Sequence, residues 1–186
     1  DLQTQTDWTD GTNSIEEMAD EAKRLGHEYI GITDHTKGLA MTGGADDKKL
    51  LRQIEAIDKL NKKNLGVKIL KGAEVNIKTD GSLDISDNVL AKLDFAGGAI
   101  HSAFSLSEEE QTGRLIKAMQ NPHIDIIFHP TTRIPMKREP IKLDFEKIFK
   151  VAAETGTIME IDAHPWRLDL HDELIRQAKK FGVKFV

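Results

Sequence analysis

The sequence has no cysteine. That excludes disulfides and thiolate metal sites, and it suits a reducing, cytoplasmic setting. No apolar run approaches the roughly 18 to 20 residues that a membrane helix requires, and no signal-peptide pattern opens the chain. An excess of positive charge is also missing. Lysine and arginine number 26 against 31 aspartates and glutamates, a formal net charge of -5. No global basic field therefore draws in nucleic acid, although a local basic patch stays open. Linkers, repeats and low-complexity stretches are absent as well. What remains is 186 residues, 39% hydrophobic and 31% charged, the composition of one soluble domain with its own core. The start without an initiator Met and the strand-like end "KKFGVKFV" suggest a fragment of a longer polypeptide.

Strand and helix patterns alternate about six times along the chain. In "DLQTQTDWTDG", Leu2, Thr4 and Thr6 alternate with Gln3, Gln5 and Asp7, the period of a strand, before an Asp-Gly turn signal. "TNSIEEMADEAKRLG" is a helix with a Ser14–Glu17 capping box and Gly26 at its end. "HEYIGITDH" reads as a buried strand ending at Asp34-His35, "VKILKGAEVNI" as one ending near Glu74, and "FAGGAIHSAF" as one ending at His101. "IDIIFHP" ends at His129 and "TIMEIDAHP" at Asp162. Between them lie a Gly-rich loop, helices over "KKLLRQIEAIDKLNKK" and "LDFEKIFKVAAETG", a short helix over "DNVLAKLD", and "SEEEQTGRLIKAMQN" with a Ser107–Glu110 capping box. "DLHDELIRQAKKFG" is the last helix, and "VKFV" begins a strand. Such alternation predicts a parallel α/β architecture, barrel-like, with a doubly wound sheet as the alternative.

The polar residues are not scattered. Asp34, His35, Glu74, His101, His129 and Asp162 all fall at C-terminal ends of predicted strands, where parallel barrels build their sites. One imidazole at a strand end is ordinarily just a polar rim residue; five strands each delivering histidine or carboxylate is hard to explain by packing. Imidazoles and carboxylates without thiolates suit Zn, Mn or Fe, and clustered divalent ions activate water against a phosphate. His164, just past a strand end, is a further candidate. His27, His123 and His171 fall in loops or at helix ends and are expected in solvent.

The strings "WTDGTNSIEEMADEAKRLG", "YIGITDHTKGL", "GAEVNI", "DGSLD", "IHSAF", "FHPTTR" and "MEIDAHPWRLDL" resemble the PHP domain (polymerase and histidinol phosphatase), most closely the C-terminal PHP domain of bacterial and archaeal family X DNA polymerases. The resemblance spans residues 1–186 as one domain. It implies a distorted (β/α)7 TIM-like barrel, here lacking most of its last strand. It also implies up to three divalent metals, Mn or Zn and also Mg, and phosphoester hydrolysis, with Mn-dependent 3′-5′ exonuclease and end processing in the polymerases. By position it makes Glu74 the bridging ligand, joined by His101 and His129, and puts Asp10 and His35 in a second metal site. Arg133 takes the place of a phosphate-meeting base, and Asp162 a rim position. Asp10 and Arg133 are the candidates for catalysis.

Two departures stand out. The family places His-x-His, or Gln-x-His, where this chain has Gln3 and Gln5, and an amide is a poorer ligand than imidazole. The closing Asp-x-His motif is also missing. At most one well-held metal is therefore expected. The reading that follows is a metal-dependent phosphoesterase or nuclease module attached to an upstream polymerase domain. Its partners are DNA ends or another phosphoester, with Arg133, Lys137 and Arg138 as a local basic patch. The alternatives are a catalytically degenerate scaffold and a histidinol-phosphatase-type small-molecule enzyme. An open barrel edge also predicts self-association of the fragment.

Overall fold

Ser14 begins the first helix as the spacing predicts. Its hydroxyl accepts the Glu17 backbone N–H and the Glu17 carboxylate returns to the Ser14 N–H, so two otherwise orphaned donors are satisfied reciprocally. The computed structural model describes residues 1–186 apart from the side chain of residue 40. Its helices are α1 (Ile15–Arg24), α2 (Asp47–Lys62), α3 (Asp87–Leu90), α4 (Glu108–Met119), α5 (Phe145–Thr155) and α6 (Asp172–Lys180). Its strands are β1 (Tyr29–Ile32), β2 (Lys68–Lys71), β3 (Glu74–Asn76), β4 (Gly97–Ala99), β5 (Ile126–Ile127) and β6 (Ile158–Met159). The β1–β2, β4–β5 and β5–β6 pairs all run parallel, as alternating strand and helix require.

The chain forms two compact units, one of residues 1–75 and 84–96, the other of residues 76–83 and 97–186. In the first, β1 and β2 pair in register from Tyr29–Lys68 to Ile32–Lys71. Ile15, Ala19 and Ala22 of α1 pack on Ile30, Ile32 and Ile69 of these strands and Ile57 of α2. Each such buried isoleucine contributes about 1.5–3 kcal/mol. Residues 1–6 lie along β1 without forming a regular strand: Gly31 N–H donates to the Asp1 carbonyl at 2.8 Å and Thr33 N–H to the Thr4 carbonyl at 2.8 Å. The reason is that Thr4 turns its hydroxyl onto the Gly31 carbonyl and takes the Thr33 hydroxyl on its own N–H, so side chains replace ladder bonds.

"VKILKGAEVNI" is not one strand. It breaks between β2 and β3, and Glu74 opens β3 rather than ending a strand. The break falls at Gly72, where a Cβ would lie 2.7 Å from the Phe95 ring and 2.8 Å from the Ile32 carbonyl oxygen. Only glycine lets the backbone pass so close.

In the second unit the sheet runs from the end of β3 at Asn76 through β4, β5 and β6. A Cβ on Gly97 would stand 2.0 Å from the Phe128 ring, so the glycine makes the space this core aromatic fills. Residues 184–186 begin to pair with β6, with Met159 N–H on the Lys184 carbonyl at 3.0 Å and Ile161 N–H on the Val186 carbonyl at 2.8 Å. Arg114 of α4 is buried and donates to the main-chain carbonyls of Ile77, of Lys78 at 2.9 Å and of Ser102 at 3.0 Å, and to the Gln111 side chain. Burial holds its pKa below the ordinary value. This side chain fixes the backbone directly after Asn76 and directly after His101. No helix of the described residues is long and apolar enough to cross a membrane.

Candidate metal centre

The first unit gathers its polar residues where β1 and the 1–6 segment end. Asp34, fully buried, accepts the Thr6 N–H at 2.8 Å and the Thr6 hydroxyl at 2.7 Å. It also accepts the Thr9 hydroxyl at 2.5 Å and the Gln53 amide at 2.5 Å. Its oxygens are thus committed to holding the 6–9 turn against α2. Asp84 does the same for the loop after His35, taking the Thr36 hydroxyl at 2.7 Å and the Gly38 N–H at 2.6 Å. Both carboxylates are architectural.

Held between these anchors is a linear set. Asp10 Oδ1 lies 3.0 Å from His35 Nδ1, and His35 Nε2 lies 3.5 Å from Glu74 Oε2. A carboxylate thus stands beside each ring nitrogen of His35, an arrangement that a cation shared with Glu74 would balance. Glu74 is only 1% exposed. Gln3 and Gln5 each donate an amide N–H to Glu74 Oε2 at 3.1 Å. The alternation of the opening segment therefore does two things at once: Thr4 and Thr6 are buried, and the two glutamines reach the buried carboxylate. A buried carboxylate, an imidazole oriented by a second carboxylate, and no thiolate form a donor set that fits a divalent cation of the Mn or Zn type.

In the second unit the rings of His101 and His129 meet edge to face with centroids 5.3 Å apart. His101 Nδ1 lies 3.4 Å from Asn76 Oδ1, and the His129 backbone N–H donates to Glu160 Oε2 at 2.6 Å. Sequence reasoning passed over both Asn76 and Glu160. Glu160 takes the place expected for Asp162, because β6 ends at Met159, paired with Ile127. The next residue is then level with the end of β5. Asp162 lies beyond the strand and accepts the His164 backbone N–H at 2.9 Å, while His164 is exposed.

The basic residues separate. Arg133 is half-buried and lines a cavity of about 370 Å³ with Thr131, Lys142 and His171. Lys137 is exposed. Arg138 is half-buried over the Phe104 ring, 4.3 Å from its centroid, and its Nε donates to the Thr132 carbonyl at 2.7 Å. Of the histidines expected in solvent, His27 is exposed but His123 and His171 are half-buried. His171 occupies the N-cap of α6 and packs its ring inward.

Fold and site together define a parallel α/β protein with histidine and carboxylate side chains at its strand ends. The sequence profile of the PHP domain matches residues 1–184, and the chain belongs to that family. It is 39% identical over 186 residues to the DNA polymerase/3'-5' exonuclease PolX of Bacillus subtilis, all of this chain but 33% of that protein. It is 37% identical over 182 residues to a probable phosphatase of Thermoanaerobacter, 92% of this chain and 69% of that one. The chain thus spans about a third of the polymerase and about two thirds of the phosphatase. Among solved structures, histidinol phosphate phosphatase of Lactococcus lactis, determined with zinc, L-histidinol and phosphate, aligns with a TM-score of 0.65 at 14% identity, covering 100% of this chain and 83% of that one. That likeness places the fold, a TIM-like α/β architecture.

Proposed function

We propose that this chain is a metal-dependent phosphoesterase domain whose substrate is a DNA end, the 3′-5′ exonuclease or end-processing part of a longer polymerase. The observation that carries this reading is the Asp10–His35–Glu74 series, in which an imidazole with one nitrogen fixed turns the other toward a buried carboxylate. Glu74 and His35 Nε2 would hold the cation, and Asp10 would keep the imidazole in the ligating tautomer. His101 and His129 are proposed as metal ligands too, as the family resemblance implies, and one well-held ion per chain is expected. What such a cation supplies is charge that lowers the pKa of water and neutralises phosphate oxygens. Arg133 would meet the phosphate through its planar guanidinium. The name of the Bacillus relative supports DNA as substrate, and the polymerase half would be the partner in the same polypeptide.

A second reading, a small-molecule phosphatase, is favoured by the names of the probable-phosphatase relatives at 33% and 37% identity. The amides of Gln3 and Gln5 on Glu74 favour a third, a scaffold without chemistry. One assay separates them. The chain is loaded with Mn and given 3′-labelled single-stranded DNA and a small phosphomonoester. Release of nucleotides from DNA, lost in His101→Ala, is the expected result. Turnover of the monoester alone selects the phosphatase, and no hydrolysis by a folded chain selects the scaffold.

A further inference from the structure

Residues 162–169, beyond β6 in the second unit, form a loop closed at its neck. Asp162 and Asp169 pair across it, each N–H donating to the other's carbonyl at 2.7 and 3.1 Å. Inside the loop, the Arg167 and Leu168 N–H groups both donate to the His164 carbonyl, at 2.8 and 3.1 Å, and the Trp166 N–H reaches His164 Nδ1 at 3.3 Å. Below the neck the buried Asp169 carboxylate accepts the Thr131 N–H at 3.1 and 3.0 Å. A loop braced this thoroughly has a fixed shape. Yet it displays Trp166 at 63% exposure and Leu168 at 47%. An indole held in water on a rigid support forgoes burial that a flexible loop would recover by folding inward.

Two arginines stand near the loop. Arg167 has one distant ion pair, Asp162 at 3.9 Å, and its Nη1 is buried without a hydrogen-bond partner. Arg138 sits over the Phe104 ring. Arg138 is anchored close to the loop's neck, because its Nε donates to the Thr132 carbonyl and the adjacent Thr131 N–H donates to Asp169; burial, and after it the charge of Arg167, hold its pKa below the ordinary value. Asp169 is the carboxylate that offsets them, and it is buried beneath the loop. Phe104 and Arg138 continue into an open groove of about 770 Å³ whose wall includes Lys142, with Glu108 and Glu139 as its acidic members. The surface therefore sets an exposed indole beside two arginines and a phenylalanine, with Glu108 and Glu139 at the edge of the groove. That is the pattern a single strand of nucleic acid satisfies, base on aromatic and phosphate on arginine.

We propose that the 162–169 loop and the Phe104–Arg138 stack form a docking surface for single-stranded DNA, with Trp166 stacking a base and Arg167 and Arg138 taking the flanking phosphates. The choice of DNA rests on the phosphoesterase reading above; the surface argument stands on its own geometry. The loop follows directly from Glu160, which holds the His129 backbone, so a strand seated here is tethered beside that histidine.

The test is fluorescence anisotropy of a labelled dT12 with the whole chain in EDTA, where no hydrolysis occurs. Wild type is expected to bind. Trp166→Ala weakens binding roughly 5- to 100-fold, and Trp166→Phe, which keeps a ring, retains most of it. Arg167→Gln and Arg138→Gln each lower the slope of log affinity against log salt by about 0.7. Trp166→Phe and Arg167→Gln carry the test if Trp166→Ala fails to fold by circular dichroism. Absence of wild-type binding, or Trp166→Ala binding as wild type does, overturns the proposal. Hydrolysis of bis(p-nitrophenyl) phosphate by wild type in Mn is read separately. Binding of dT12 without that hydrolysis leaves the surface standing and refutes the phosphoesterase reading. Hydrolysis with binding indifferent to Trp166 does the reverse.

Discussion

The two units use their polar side chains in opposite ways. In the first, nearly every polar group at the strand ends is engaged by another: Asp34 by Thr6, Thr9 and Gln53, Asp84 by Thr36 and Gly38, and Glu74 by both glutamines and His35. In the second, His101 rests on Asn76 and the His129 N–H on Glu160, while an indole stands exposed and two arginines are half-buried. The lesson is that a carboxylate at a strand end is not by itself a ligand. Asp34 and Glu74 are equally buried, but Asp34 accepts only neutral donors that build a turn, while Glu74 faces an imidazole whose other nitrogen is already fixed.

Removing an architectural group should cost the most. Arg114→Met leaves the carbonyls of Ile77, Lys78 and Ser102 without their donor. Urea unfolding should show a loss of about 3–5 kcal/mol, since each orphaned buried acceptor costs about 1–3 kcal/mol. Asp34→Asn comes next. It puts an NH2 against hydroxyl, amide or N–H donors, and should cost about 2–3 kcal/mol in the same measurement while metal content stays as in wild type. A fall in metal content larger than the fall in folded fraction would erase the distinction between Asp34 and Glu74.

Gln5→His tests the other side of the comparison. It replaces an amide donor on Glu74 with an imidazole ligand, and calorimetric Mn affinity should rise about tenfold, in the range that single ligands and their supports command. The smallest effect belongs to the helix caps. Ser107→Ala should lower stability at pH 7 by about 1 kcal/mol. The Ser107 hydroxyl, and after it the Ser107 N–H, hold the Glu110 carboxyl below its ordinary 4.5. A carboxyl lowered in the folded state adds stability above 4.5 that disappears as pH falls through the lowered value. In acid titrations followed by circular dichroism, Ser107→Ala should therefore lose less on acidification below that pH than wild type does.

Much of the fold could be read from local chemistry. Both capping boxes, Ser14–Glu17 and Ser107–Glu110, form as their spacing requires, and His35 falls just past a short parallel strand. The parallel α/β class followed from the alternation alone. What escaped was register. Nothing local in "TIMEIDAHP" says that pairing stops at Met159, and that stop exchanges Glu160 for Asp162. Nor does "VKILKGAEVNI" show its break, which depends on Phe95 packing against Gly72 from more than twenty positions away. The role of Asp34 was hidden for the same reason, because its partners Thr6 and Gln53 come from other elements. The opening glutamines were legible as polar groups facing a site, and their partner was not.

The central claim is that Glu74, buried and facing His35, is the carboxylate on which metal binding depends. Isothermal titration of the chain with Mn, paired with metal analysis of the purified protein, tests it most directly. One well-held ion per chain in wild type and none in a folded Glu74→Gln variant is the predicted result. Undiminished binding by Glu74→Gln, or two or more tightly held ions in wild type, would contradict it.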